Sequence, residues 1–245
     1  MIVAKLLLLD DEAEALEWMT AALTSRGHEV RAYQSGRAAL ADLDQWRPDL
    51  VICDILMPEM DGLAFARLVR AHGGPPVLFV SIAVKQAEAV LAGAIGFVQK
   101  PATADEVRAA VEDALQRPGR ATVLVVDDEM DSLELYQGYL ESRFDVEVAV
   151  HGAQALAVLR RKRIDLVITD VHMPVMNGIE LIRAMRADPA LARLPVLVQT
   201  ADRHALACPV WRELGVSHRI DKLDFLRWID HQVAVRGHDN RPSAS

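Results

Sequence analysis

The chain has 245 residues, 51% of them hydrophobic and 25% charged, and a formal net charge of −8. That length suits two domains of ordinary size, and the composition is that of a folded globular protein rather than a disordered chain. Lys and Arg number 12 against 17 Asp and Glu up to Arg120, then 15 against 18, so neither half offers the basic face of a general nucleic-acid binder.

The only basic run, RRKR at Arg160–Arg163, falls where a helix should end, and cations suit that end of the helix dipole. Two cysteines, Cys53 and Cys208, are too few for a disulfide scaffold. Cys53 lies in an apolar run and reads as a small buried hydrophobe. No apolar run approaches the ~20 residues of a membrane span. The opening IVAKLLLL has no cleavage-site pattern and runs into acids, so it reads as a strand. No membrane partner and a cytoplasmic location are expected.

In chain order, the pattern predicts a strand over 3–9, a helix over 12–25, a strand over 28–33 and a helix over 35–46. A strand over 50–54 and a helix over 62–72 follow, then a strand over 77–80 and a helix over 85–92. The series ends with a strand over 96–99 and a helix over 104–116. The strands are short apolar runs without alternation, as in a parallel sheet buried on both faces. The helices are amphipathic: Leu16, Met19 and Leu23 form one stripe. TADE, Thr103–Glu106, is a capping box that starts the last helix.

The series then repeats. LLLLDDE at Leu6–Glu12 returns as VLVVDDE at Val123–Glu129, and DLVICDILMPEMDG at Asp49–Gly62 as DLVITDVHMPVMNG at Asp165–Gly178. PVLFVS returns as PVLVQT, and GFVQK as HRIDK, with the offset drifting only from 116 to 122 residues. A unit this long can own a core, so this is a duplicated domain and not a solenoid. The expected fold class is α/β: two tandem flavodoxin-like (βα)5 doubly wound domains with parallel sheet order 2-1-3-4-5. The assigned boundaries are 1–117 and 122–236, with a linker at 118–121 inside QRPGRA and a polar, disordered tail at 237–245.

In such a sheet the functional crevice lies beyond the carboxyl ends of the strands. Asp10 and Asp11 close the first strand, Asp54 the third, Ser81 the fourth and Lys100 the fifth. The second unit supplies Asp127, Asp128, Asp170, Thr200 and Lys222. Three crowded carboxylates repel, by ~4 kcal/mol per pair at 4 Å and an effective dielectric of 20. The lysine offers one compensating cation, and hard oxygen ligands favour Mg2+ as a second. A carboxylate between two cations is suited to attack phosphorus.

These motifs, DDE, D-x-x-M-P-x-M-[DN]-G, Ser/Thr after PVL and Lys after the last strand, resemble the receiver domains of bacterial two-component response regulators, over nearly the whole chain. The resemblance implies phosphoryl acceptors at Asp54 and Asp170, charged by a histidine kinase or a histidine phosphotransfer protein. It implies Mg2+ ligation by Asp11 and Asp128 with Asp10 and Asp127 in support, by Asp54 and Asp170, and by the backbone carbonyls of Leu56 and His172. Ser81 and Thr200 would be switch hydroxyls, Lys100 and Lys222 the phosphoryl-contacting lysines, and Phe97 the aromatic that swings inward. A cis Lys100–Pro101 peptide is expected. Such a chain is a phosphoryl acceptor that assists its own phosphorylation and dephosphorylation, not an enzyme.

The chain departs from the family pattern at three places. Ile82 follows Ser81 where the family keeps a small residue, and would crowd the phosphoryl pocket. Arg219 takes the aromatic position of the second unit, and Leu223 replaces its proline. The His172 side chain is expected to face solvent. Trp211 and Trp228 are expected in a core stripe, with a partner or dimer surface as the alternative. No output domain is recognisable, so the expected signal is protein–protein contact with an unknown downstream protein, and a homodimer stays open. Three rivals remain: an adaptor whose second receiver only docks, the regulatory part of a longer regulator such as a tandem-receiver diguanylate cyclase, and a hydrolase with an Asp nucleophile. The last would want D-x-D where this chain has DD.

Overall fold

The computed structural model describes residues 2–83, 85–116, 120–216 and 218–233. The expected tail at 237–245 and part of the expected linker, residues 118–119, lie outside the described residues. No helix among the described residues is long and apolar enough to cross a membrane.

The first sheet is built from β1 (Lys5–Leu9), β2 (Glu29–Tyr33), β3 (Leu50–Cys53), β4 (Val77–Ser81) and β5 (Ala94–Gln99), in the order β2-β1-β3-β4-β5. All pairings are parallel. The helices between and after the strands are α1 (Ala13–Thr24), α2 (Gly36–Trp46), α3 (Gly62–Ala71), α4 (Gln86–Ala92) and α5 (Ala104–Gln116). Successive strand residues point to opposite faces. Leu7 and Leu9 therefore pack with Ala39, Phe65 and Val69 of α2 and α3. Leu6 and Leu8 pack with Leu16, Met19, Val107 and Val111 of α1 and α5. Every residue of β3 and β4 is buried, which explains why those runs carry no polar alternation.

The second sheet repeats the plan. Its strands are β6 (Thr122–Val126), β7 (Asp145–Ala149), β8 (Leu166–Thr169), β9 (Val196–Thr200) and β10 (His218–Asp221), in the order β10-β9-β8-β6-β7. The helices are α6 (Met130–Leu140), α7 (Gly152–Arg161), α8 (Gly178–Ala187), α9 (Arg203–Leu206), α10 (Val210–Glu213) and α11 (Lys222–Val233). Both sheets thus have the expected flavodoxin-like order. Where the first unit has the single helix α4, the second has two four-residue pieces, α9 and α10, separated by Ala207–Pro209. The capping-box reading holds: the Thr103 amide donates to Glu106 Oε2 (2.8 Å) and the Glu106 amide to Thr103 Oγ1 (3.3 Å).

Trp211 is fully buried in the core, as expected. Trp228 differs. It is partly buried and belongs to an apolar cluster that also contains Ala87, Val90 and Leu91 of α4, from the other unit. α4 is therefore sandwiched: Ala89 and Ala92 face its own sheet, and Ala87, Val90 and Leu91 face α11 and the second core.

The turn after β3 and the turn after β8 each contain a left-handed residue, Glu59 (φ 64°) and Val175 (φ 68°). A β-branched residue is costly there. Val175 is 81% exposed, so no packing offsets the strain. Val175→Asn is expected to stabilise the protein by about 1 kcal/mol, read as a higher urea midpoint. An unchanged midpoint would show that the turn carries no such strain.

Candidate functional site

Parallel strands β1, β3 and β4 are neighbours, so their carboxyl ends open on one crevice, and β5 closes its side. Asp10 and Asp54 lie there almost without exposure, at 0% and 6%. Lys100 Nζ bridges them, 2.7 Å from Asp10 Oδ2 and 2.8 Å from Asp54 Oδ2. The other oxygen of Asp54, Oδ1, accepts from the Ser81 hydroxyl (2.5 Å) and the Leu56 amide (3.1 Å). Asp10 Oδ1 accepts the Glu12 amide, while Asp11 is exposed beside it. Ser81 Oγ also accepts the Ala83 amide (3.2 Å), tying Asp54 to the segment that leads to α4.

Burial raises the Asp54 pKa, but the Lys100 ammonium, the Ser81 hydroxyl and the Leu56 amide outweigh it, and the carboxyl stands below its usual range. Burial lowers the Lys100 pKa, and Asp10 and Asp54 more than reverse that. Both groups are therefore charged at neutral pH. Phe97 is half-buried against the core on the α2–α4 side of the sheet. Ile82 is 61% exposed at the rim. The Lys100–Pro101 peptide is cis, as expected.

The second site has the same parts in a different arrangement. Lys222 Nζ lies 2.8 Å from Glu129 Oε2 and 2.9 Å from Asp127 Oδ2, but 3.5 Å from Asp170 Oδ2. Asp170 Oδ1 accepts the Val171 amide (2.5 Å). Thr200 Oγ1 accepts the Asp202 amide, and no bond from it to Asp170 occurs among the described residues. Gln199, one residue earlier, is fully buried. It donates to Asp127 Oδ2 (2.7 Å) and accepts from the Tyr136 hydroxyl (3.2 Å). Burial holds the Asp127 pKa above its usual range despite Lys222, the Glu129 amide and Gln199. Gln199 is a pocket residue that the shared motifs do not mark. Its signal was there: VLVQT puts an amide where VLFVS has Val80.

Carboxylate oxygens of Asp127, Asp128 and Asp170 all lie within 4.8 Å of one another, and they are the only such trio among the described residues. This donor set fits a hard divalent cation. In the first site Lys100 Nζ bridges Asp10 and Asp54, and Asp11 is exposed beside them. The His172 side chain is exposed, as expected, with Nε2 3.0 Å from Asp202 Oδ2. Arg219 and Leu223 are exposed.

The turns after β3 and β8 each also need a glycine. A Cβ on Gly62 would lie 2.0 Å from the Asp54 carbonyl oxygen, and one on Gly178 2.2 Å from that of Asp170. The helix after β3 and the helix after β8 each start against the carbonyl of the aspartate that follows the strand.

Fold and site together define a doubled receiver module, the phosphoryl-accepting signalling unit of α/β type. The chain belongs to the response regulator receiver domain family: the family model matches residues 6–112 and 123–223. It is 33% identical over 159 residues to the transcriptional regulatory protein GlrR of Escherichia coli (strain K12), covering 61% of this chain and 36% of that protein. It is 31% identical over 116 residues to the DNA-binding response regulator MtrA of Mycobacterium tuberculosis (strain H37Rv), covering 46% and 51%. The chain thus spans from about a third to half the length of these relatives. Similar solved structures include the chemotaxis response regulator CheY4 of Vibrio cholerae (28% identity, TM-score 0.44, 46% of this chain and 99% of that chain). Another is a response regulator from Chloroflexus aurantiacus (30% identity, TM-score 0.45, 47% and 100%).

Proposed function

We propose that this chain is a two-component response regulator whose receivers accept phosphoryl groups on Asp54 and Asp170 from a histidine kinase or a histidine phosphotransfer protein. The observation that carries the reading is the ionised, buried Asp54 with an ammonium on one oxygen and a hydroxyl on the other. The carboxylate attacks phosphorus, the P–N bond of a phosphohistidine breaks, and the imidazole leaves. Lys100 or Lys222 then meets the new negative charge, and Ser81 or Thr200 bonds a phosphoryl oxygen. Asp10, Asp11 and Asp54, and in the second unit Asp127, Asp128 and Asp170, are the side chains to hold Mg2+, with the Leu56 and His172 carbonyls. Bound there, the cation supplies charge opposite the phosphoryl oxygens. Ile82 at the rim narrows the approach of water to Ser81 and so favours a long-lived phosphoryl group. The signal is passed on by protein–protein contact, without nucleic acid, in the cytoplasm.

Mass spectrometry after incubation with an active phosphodonor protein and Mg2+ tests this. Wild type is expected to gain acid-labile phosphate, and Asp54→Asn to lose the label on the first receiver. Unlabelled wild type in the presence of a proven donor would overturn the proposal.

A second reading has support of its own, in which the second receiver mainly docks. Lys222 is held more closely by Asp127 and Glu129 than by Asp170, and among the described residues Thr200 makes no bond to Asp170. Label on Asp170 at least ten times slower than on Asp54 would favour it; equal rates would exclude it.

A further inference from the structure

α4 lies between the two receivers. It is seven residues long, and Ala87, Ala89, Val90, Leu91 and Ala92 are all buried. Three of these pack into the second receiver's core with Phe225 and Ile229 of α11. From the same helix Glu88 reaches across: its Oε1 is 2.9 Å from His218 Nδ1 on β10. His218 in turn stacks on Trp228, with ring centroids 4.1 Å apart. The other oxygen, Glu88 Oε2, is buried without a hydrogen-bond partner. A buried carboxylate oxygen left unsatisfied is unfavourable, so this contact is specific but poised. A second bridge runs from α3: the Arg70 guanidinium lies over the Phe144 ring at 4.8 Å and donates to the Arg143 carbonyl.

Both ends of this seam lead to a phosphoryl pocket. α4 begins five residues after Ser81, whose hydroxyl is bonded to Asp54 and accepts the Ala83 amide. β10, which carries His218, ends beside Lys222, the cation of the second pocket. A phosphoryl group on Asp54 would stand where Ser81 and Lys100 now meet the bare carboxylate, and they must regroup around it. A shift of α4 would act on the Glu88–His218 contact, which ties the helix to β10.

We infer that α4 is an intramolecular coupling surface: modification of Asp54 loosens α4 from β10 and α11, exposing the Trp228 face and altering the second receiver's pocket. This rests on the proposed phosphoryl acceptance at Asp54. Its elements are the two pockets and the α4 seam that joins the strands and helices behind them.

Hydrogen–deuterium exchange on the full chain carrying Asp170→Asn tests it, because Mg2+ with beryllofluoride as phosphoryl mimic can then act only at Asp54. The expected result is slower exchange around 54–62 together with exchange faster by on the order of threefold or more in 86–92 and 218–229. The double variant Asp54→Asn, Asp170→Asn should show neither. Slower exchange at 54–62 with 218–229 unchanged would overturn the coupling and leave the acceptor reading standing. No change at 54–62 would remove the acceptor reading for this site, and the coupling with it. Glu88→Gln in the Asp170→Asn background, which keeps the shape and removes the charge, should show fast exchange at 218–221 before the mimic is added. A slow basal rate there would overturn the assigned link.

Discussion

Replacing Lys100 by methionine is expected to lower stability at pH 7 by about 3 kcal/mol or more, read as the urea midpoint. Among the described residues the ammonium is the only cation paired with Asp10 and Asp54, at 2.7 and 2.8 Å, and its side chain is only 18% exposed. Without it two buried carboxylates face each other with no cation between them, held only by the Ser81 hydroxyl and the Leu56 and Glu12 amides. The pH dependence identifies the cause. The folded Asp54 pKa is depressed, so its contribution is present above the unfolded value near 3.8 and is lost as pH falls through the folded one. The folded Lys100 pKa is raised, so its contribution is full below the unfolded value near 10.5 and is lost as pH rises through the folded one. Wild type should therefore show a plateau between these limits. In Lys100→Met burial is opposed at Asp54 only by the Ser81 hydroxyl and the Leu56 amide, and protonation relieves it, so the deficit should shrink in acid. A deficit that is the same at pH 4 and pH 7 would point to lost packing instead.

Lys222→Met is the matched control, and its effect should be smaller. Asp127 keeps the Gln199 amide and the Glu129 backbone amide after the lysine is removed. Asp170 loses only a partner at 3.5 Å, and the released Glu129 is exposed. Equal deficits for the two variants would contradict the different geometry of the two pockets.

The pattern of what the sequence revealed follows from how local each feature is. Asp54 and Asp170 were legible because a polar residue that ends a buried strand falls at a fixed edge of a parallel sheet. The Thr103–Glu106 box and the cis Lys100–Pro101 peptide are set by residues a few positions apart. The Lys222 choice of Glu129 was not legible, since it depends on how an 11-residue α6 and the first residue of α11 meet across 93 positions. Gln199 was legible in principle: a buried amide in an apolar run needs partners, and the repeat offers Val80 for comparison. The place of α4 was hidden for a different reason. Ala87, Val90 and Leu91 look like the inward face of an ordinary amphipathic helix, and periodicity counts apolar positions without saying which core they enter. Trp228 carries the same ambiguity from the other side of the seam.

Gly62→Ala is expected to cost about 3 kcal/mol or more, at the upper end of overpacking effects, and to abolish phosphoryl acceptance at Asp54 in whatever fraction stays folded. This position does not need glycine for a left-handed backbone. It needs it because a Cβ would come within 2.0 Å of the Asp54 carbonyl oxygen and 2.9 Å of its carbon and of Ile55 Cα, all backbone atoms that no rotamer change can move. The contact is also part of the site. The Gly62 amide donates to the Ile55 carbonyl (2.9 Å), which closes the turn that presents the Leu56 amide to Asp54 Oδ1. Pushing the helix start away therefore removes a hydrogen bond from the acceptor as well as packing from the core. Gly178→Ala should behave alike, since its Cβ would meet the Asp170 carbonyl at 2.2 Å. Gly73→Ala is the control: it keeps its positive φ of 65° but has open space around a Cβ, so its cost should be backbone strain alone, about 1–2 kcal/mol. If Gly62→Ala costs no more than Gly73→Ala, close approach is not what selects glycine beside the acceptor. If it costs much more but Asp54 still takes label at the wild-type rate, the turn supports the fold without positioning the carboxylate.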